Sequence, residues 1–540
     1  MVRKPKDKVK TVKIVTTDQM DEKTNEMTTN ITQRQSGKEN KLKQCQAAIQ
    51  KVWTFLEQYV PFCNTHGAEF LSHDHWEKYL PPEAQKELLC MSDEDLVKLP
   101  LCFNETETAT DSQWLYSYIK QAYMCHLENL NVLSTLSEAV SKNSGFEKSR
   151  TEAMSIKKGH EVSIMSQAVS AMFNSTAADM VVDVGSGKGY LGAELSRTFN
   201  IPVLGLDSQE TNTHGAKRRE LILNKRFKKK KQQIETKNTK TEVSVASNQS
   251  CLDTCITDQN LEQRLQSVNN LDDVPVKYVP MTVFVQPDMG LRNIIQHIGP
   301  QLCSTCDNID RLHFVLTGLH TCGSLAVTLM KLFLQDPGAV ALVSVGCCYQ
   351  QMEEVHYTDG DPTDSDSKHF PLSKLGKKMK MYLGRNARNL ASQSLHRIQA
   401  SKQLQGKDFY WRALLDVIIR NLGLSVPEKI KGIRGLNKKC PTFKDYALRA
   451  LSILGVSPEL VPDDSLHLTE TLHQDNEKKL AALFQVKLVL APVIETMILL
   501  DRLMFLLEQD TVESTHLVRL FDPLTSPRCY CLLSVKTSGT

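Results

Sequence analysis

The chain has 540 residues, enough for two to four domains or for one heavily decorated α/β domain. A hydrophobic share of 41% and a charged share of 24% exclude a chain disordered throughout, and a formal net charge of +3 excludes a global field that would itself draw a polyanion. Fifteen cysteines, with no apolar run after MVRKPKDKVK, imply reduced thiols and an intracellular setting, cytoplasmic or nuclear.

Residues 1–40 are rich in Lys, Thr, Gln and Asn and poor in apolar anchors, which predicts a disordered tail. From 41 to 140 the spacing turns helical. Ala47, Ile49, Val52, Trp53, Phe55, Leu56 and Val60 share a face, the run ends near Pro61, and Ser92 and Asp93 stand where N-caps would. This predicts a helical N-terminal module without active-site features. Residues 149–173 read as a helix that leads into a strand, with Lys157, Lys158, His160 and Glu161 near its start. That polar set is either a wrap over the open end of a ligand pocket or a solvated first turn.

Met180 to Leu195, MVVDVGSGKGYLGAEL, organise the rest. The β-branched run Met180, Val181, Val182, Val184 is too short for a helix and reads as a buried parallel strand. Gly185, Gly187 and Gly189 stop it, and Tyr190, Leu191, Ala193, Glu194 and Leu195 then resume helical spacing. Strand, glycine loop, helix is the first unit of a doubly wound sheet. A side chain in the loop would bar the backbone from a ligand over the strand end. Gly187 to Gly192 satisfies G-x-G-x-x-G for a dinucleotide. Asp183 to Gly189 reads instead as D-x-G-x-G-x-G, the cradle of S-adenosylmethionine, and this register is preferred because the glycines begin directly after the strand. IPVLGLDS then ends a second strand at Asp207, where such sheets present an acid to both ribose hydroxyls.

After Asp207 a helix ends in RFKKKK, and nine basic residues lie between Lys217 and Lys231 against Glu220. They form either a phosphate contact, hence an RNA contact, or a solvated helix end. Residues 228–273 lack periodicity and read as a disordered basic insertion. The core resumes with VPVKYVPMTVFV, LHFVLTGLH and AVALVSVGCCY as strands. The polar groups at their C-terminal ends are Thr282, then His320, Thr321 and Cys322, then Cys347, Cys348 and Tyr349. An exposed loop over Asp359 to Asp366 follows, then helices from 374 to 507, then the strand pair THLVRLF and RCYCLLSVKT. Within the helical stretch, VKLVLAPVIETMILLDRLMFLLEQ carries Glu495, Asp501 and Arg502, so it reads as a buried helix and no membrane association is expected. Cys303-x-x-Cys306 and Cys251-x3-Cys255 lack a second half, so no metal is expected.

Together MSIKKGHEV, VVDVGSGKGYLGAEL, GLHTCGSL, SVGCCYQ, FPLS, LAPVIETMILLDRLMFLLEQ and the closing SPR resemble the methyltransferase-like protein 25 family. The resemblance runs from about Lys41 to the C-terminus, apart from the Lys-rich insertion. It implies an α/β, Rossmann-like, seven-stranded class I methyltransferase domain over 150–540, with a helical N-terminal extension and a large helical insertion at 350–507. It also implies S-adenosylmethionine as cofactor, held by Glu161, Asp183, Gly185, Ser186, Gly187, Gly189, Asp207, Ser208, Thr282 and His320. More distantly, the L-H-x-C-G turn and the paired cysteines resemble a tRNA ribose 2′-O-methyltransferase, which favours RNA as substrate. That enzyme carries a CCH-like sequence where Cys347-Cys348-Tyr349 stand here, so its catalytic roles do not transfer directly. A protein substrate, or a binding module that keeps the fold without catalysis, are the alternatives.

Methyl transfer is an in-line displacement in which the protein aligns the partners and removes one proton. His320 is the candidate base, by its ordinary range near neutrality, and Tyr349 the candidate for orienting the acceptor. Cys322 or Cys347 could act as a covalent nucleophile; buried cysteine more often behaves as a small hydrophobe.

Overall fold

The computed structural model describes residues 17–104, 112–140, 154–223, 277–302, 311–356, 368–423, 433, 435–457 and 460–537. The insertion 228–273, the loop at 359–366, the basic residues from Lys225 to Lys231 and the cysteine pairs at 251/255 and 303/306 lie outside these.

An eight-stranded sheet organises the chain: β1 (Leu133–Ser134), β2 (Met180–Val184), β3 (Val203–Asp207), β4 (Tyr278–Thr282), β5 (Phe314–Cys322), β6 (Ala339–Cys347), β7 (Val512–Arg519) and β8 (Tyr530–Lys536), in the order β1-β7-β8-β6-β5-β2-β3-β4. Only β8 runs antiparallel to its neighbours β6 and β7. Strands buried on both faces read as continuous apolar runs, and the side chains alternate between two cores. Val182, Val184, Leu204, Leu206, Phe314 and Leu316 join the core beneath the helical layer. Val181, Val203, Val315, Val343 and Val345 join the opposite core, with the helices Ile156–Ser175 and Tyr190–Thr198.

Seven strands were expected, and they take the order and directions of a class I methyltransferase sheet. The eighth, β1, is two residues long and pairs in parallel with β7. So short a strand has no periodicity to read.

The N-terminal region differs from expectation in two ways. The helix Thr17–Leu56 takes in most of the segment read as a disordered tail. Its Lys38 donates to the carbonyls of Gln509 at 2.7 Å and Val512 at 2.6 Å, which docks this part of the helix against the start of β7. The 41–140 module is also not a separate unit. Its Trp53, Phe55, Leu56 and Tyr118 share one core with Leu414, Tyr446, Leu483 and Leu500 of the 350–507 insertion. Tyr118 donates to the Val486 carbonyl at 2.9 Å, and Lys487 to the Thr65 carbonyl at 2.6 Å. The two stretches read as modules are halves of one helical layer. Within it, Asn476–Leu507, long and apolar enough to cross a bilayer, has 78% of its apolar window buried in the protein.

Candidate functional site

The C-terminal ends of β2 and β3 meet at the glycine loop. Gly185, Gly187 and Gly189 have φ of +73°, +56° and +67°, a region that side chains disfavour. The amides of Gly185 and Ser186 donate to the Leu206 carbonyl at 2.8 and 3.0 Å, which ties the loop to β3. The Gly187 amide donates to Asp207 Oδ2 at 2.8 Å. A Cβ at Gly189 would lie 2.3 Å from Tyr278 Oη, whereas one at Gly187 would meet nothing within 4 Å. The cradle is therefore closed below by Tyr278 and open above Gly187.

Asp183, at the end of β2, is 2% exposed, and its Oδ2 has no hydrogen-bond partner among the described residues. Burial, together with the charge of Asp207, pushes its carboxyl up to about 7. A buried carboxylate without a donor is costly, and a cationic or donor group above the loop would relieve it. Asp207 is better satisfied: Oδ1 accepts from the Gln209 amide at 2.8 Å and Asn212 Nδ2 at 3.1 Å. With three of about four lone-pair sites taken, it has room for one further bond in this arrangement, fewer than the two-hydroxyl reading needs. Ser208 and Thr282 are exposed beside it, with Thr282 donating to Thr213 at 2.9 Å.

His320 is positioned by a bulge. The β5–β6 register passes from Leu319↔Val345 to Thr321↔Gly346, which leaves His320 unpaired with φ +65°. An extra residue of this kind re-aims a side chain. His320 Nε2 lies 3.0 Å from Glu161 Oε1. Glu161 is 1% exposed; it also accepts from Ser526 Oγ at 2.6 Å, and Lys157 Nζ stands 3.4 Å away. Burial alone would raise its carboxyl, but the bonds from His320 and Ser526 and the charge of Lys157 hold it down to about 2. Glu161 thus stands beside His320 as an ionised partner. Ser526, in the SPR turn between β7 and β8, was not assigned this role from sequence; the only signal was that turn's place in the motif set.

Tyr349 is not on the open face. It is 1% exposed and donates to Glu495 Oε1 at 2.8 Å, in a buried cluster where Arg528 Nη1 bonds the same oxygen at 2.9 Å. Its hydroxyl is thereby engaged, and the acceptor-orienting role read from sequence is not supported. The turn it begins is instead a thiol cluster. Cys322 Sγ, exposed, lies 3.2 Å from buried Cys347 Sγ, and Cys348 Sγ lies 3.7 Å from Cys347. The contact with Cys347 pushes the Cys322 thiol down to about 6, and the same contact pushes Cys347 up.

A basic rim borders the loop. Lys158 Nζ and the Arg219 guanidinium lie 4.4 and 3.9 Å from the centroid of the Tyr190 ring. Lys157, Lys188, Lys217 and Arg218 are exposed.

The strand order and the glycine cradle define a Rossmann-like class I methyltransferase domain. A family model described as a methyltransferase domain matches residues 157–355. A Homo sapiens protein named "Probable methyltransferase-like protein 25" is 26% identical over 600 aligned positions, covering 91% of this chain and 97% of its own length. Its Mus musculus namesake is 27% identical over 590 positions, covering 90% and 96%. The likeness to methyltransferase-like protein 25 read from the motifs therefore holds across nearly the whole chain.

Proposed function

We propose that this domain transfers a methyl group from S-adenosylmethionine to RNA. The observation that carries the reading is Asp183 Oδ2, buried without a partner beneath three left-handed glycines. The residues fit the cofactor: the space above Gly187 is open, and Asp207 holds the Gly187 amide while keeping one acceptor site. When bound, the cofactor supplies an electrophilic methyl group on a sulfonium. Asp183 offers a carboxylate to the cofactor's positive charge, and Asp207 offers its free acceptor site to a ribose hydroxyl.

His320 removes the acceptor proton. With Nε2 donating to Glu161, the neutral imidazole presents Nδ1 as the acceptor. Glu161, ionised, steadies the imidazolium that forms, in the manner of a base oriented by a third group. The substrate class rests on the rim: Lys158 and Arg219 lie against Tyr190, which follows the glycine loop, and Lys188 within the loop is exposed, so positive charge suited to phosphates borders it.

Calorimetric titration with S-adenosylmethionine and, separately, NAD tests the cofactor, on wild type and Asp183→Ala. Binding of the first alone, lost in the variant, is expected; binding of NAD alone would overturn the reading. A screen with radiolabelled methyl donor is expected to label RNase-sensitive material. Label confined to protease-sensitive material would replace RNA by a protein substrate.

A further inference from the structure

We propose that Cys322, Cys347 and Cys348 form a three-thiolate site for a thiophilic d10 cation of the zinc class, open on its fourth side. The inference goes beyond the methyltransferase reading and does not depend on it.

The three sulfurs come from two strand ends. The β5–β6 register sets Cys322 opposite Cys347. Cys348 follows with φ +52°, a conformation costly for a side-chain-bearing residue, and this turn brings its sulfur into the same cluster. All three ligand atoms lie within 4.8 Å of one another, with the closer pairs at 3.2 and 3.7 Å. Sulfurs bound about 2.3 Å from a tetrahedral zinc stand about 3.8 Å apart; the Cys347–Cys348 pair at 3.7 Å is already at that spacing, and the Cys322–Cys347 pair at 3.2 Å needs to open slightly. Small adjustments of the side chains would therefore complete the set.

Other accounts of the cluster explain less. Core packing does not require an exposed Cys322. A redox pair uses two thiols and leaves the strained placement of the third without a purpose. The charge balance also favours a cation. Three thiolates around a dication carry one net negative charge, and buried Arg502 stands behind them. Its Nη1 lies 2.3 Å from where a Cβ on Gly346 would be, and its Nε has no hydrogen-bond partner among the described residues. Because Cys322 faces solvent, the fourth position is open to water or to a substrate atom, which is the arrangement of catalytic sites and not of closed structural ones. Sequence spacing does not show the site, since Cys322 and Cys347 are 25 residues apart and only strand pairing joins them.

The test uses the full chain, purified under reducing conditions, loaded with excess zinc chloride and desalted against a weak chelator. Plasma emission is expected to find about one more zinc per chain in wild type than in Cys322→Ser, with Cys90→Ser, an exposed cysteine elsewhere, matching wild type. Equal zinc in all three proteins would overturn the proposal. Cobalt(II) loading of the wild type gives a second reading that needs no variant. Thiolate-to-cobalt charge transfer with tetrahedral d–d bands is expected, and a weak octahedral spectrum would refute the site. Isolation of the protein with a Cys322–Cys347 disulfide that persists in reductant would also refute it.

Discussion

Asp183→Asn separates binding from stability at the glycine loop. In the folded chain burial and the Asp207 charge raise the Asp183 carboxyl from 3.8 to about 7. An acid raised in this way keeps its proton in the folded state while the unfolded chain has lost it, so stability falls as pH climbs from about 4 to about 7. At about 1.4 kcal/mol per pH unit, the shift destabilises the wild type by about 4 kcal/mol once the pH passes 7. Asparagine removes that charge. A buried amide donor without an acceptor returns about 1–2 kcal/mol, which leaves a net gain of about 2–3 kcal/mol. Urea denaturation at a series of pH values is expected to show Asp183→Asn more stable than wild type at pH 8, with the advantage shrinking steadily towards pH 4. Affinity for S-adenosylmethionine is expected to fall about tenfold to a hundredfold, as for a lost hydrogen bond to a charged group. Calorimetry in two buffers of different ionisation heat is expected to show proton release on binding to wild type near pH 6 and none to the variant. A stability difference that does not change with pH would refute the assignment of the buried charge.

Three further outcomes follow from the same geometry. His320→Gln is expected to lower methyl transfer at least about a hundredfold while leaving cofactor affinity intact, with Glu161→Gln and Ser526→Ala, which act through it, costing about tenfold; parallel loss of cofactor binding would sink the base assignment. Gly189→Ala drives a Cβ into Tyr278 at φ +67° and is expected to cost several kcal/mol, against about 1–2 kcal/mol of backbone strain for Gly187→Ala, so equal melting temperatures would contradict the cradle geometry. Tyr349→Phe removes a hydrogen bond to buried Glu495 and is expected to lower stability by about 1–3 kcal/mol with turnover unchanged; a turnover defect without a stability defect would restore its acceptor role.

What was legible in the sequence was local. The runs at Met180–Val184 and Val203–Asp207 are apolar because both faces of those strands are buried, and the left-handed turns between strand and helix admit little but glycine. What was not legible depended on distant partners. Ser526 lies 365 residues from the Glu161 it bonds, and no local pattern announces that pair. The bulge that turns His320 exists only in the register of β5 against β6. Tyr349 follows a strand end, where ligand-facing groups are common, yet the opposite face won because Glu495 and Arg528 wait there. The helical segments 41–140 and 350–507 each show a clear apolar face; that the two faces cover each other is a tertiary fact.

The fused helical layer has a specific bearing on the site, because its buried charges surround the turn after β6. Arg388 pairs with Glu354 at 3.1 Å and donates to the carbonyls of Tyr349 and Met352, the latter by a short bond. Asp501 accepts from the Leu372 amide at 2.7 Å and the Ser373 hydroxyl at 2.6 Å, which fixes the FPLS segment. Arg528 links Glu495 to the carbonyls of Ala391 and Gln393 at 2.7 and 3.0 Å. Buried ion pairs of this kind contribute little net stability, because desolvation offsets most of the attraction. Their directionality is what an apolar core would lack. The Arg388 bonds end on the backbone just after Cys348, and the Arg528 bonds tie the SPR turn to the helical layer. The helical layer therefore fixes the geometry of that turn and, through Ser526 and Glu161, the direction of His320. Apolar substitution of the Glu495–Arg528 pair would leave the Tyr349 hydroxyl and the carbonyls of Ala391 and Gln393 without these partners, so it is expected to lower stability and to loosen the edge that carries His320.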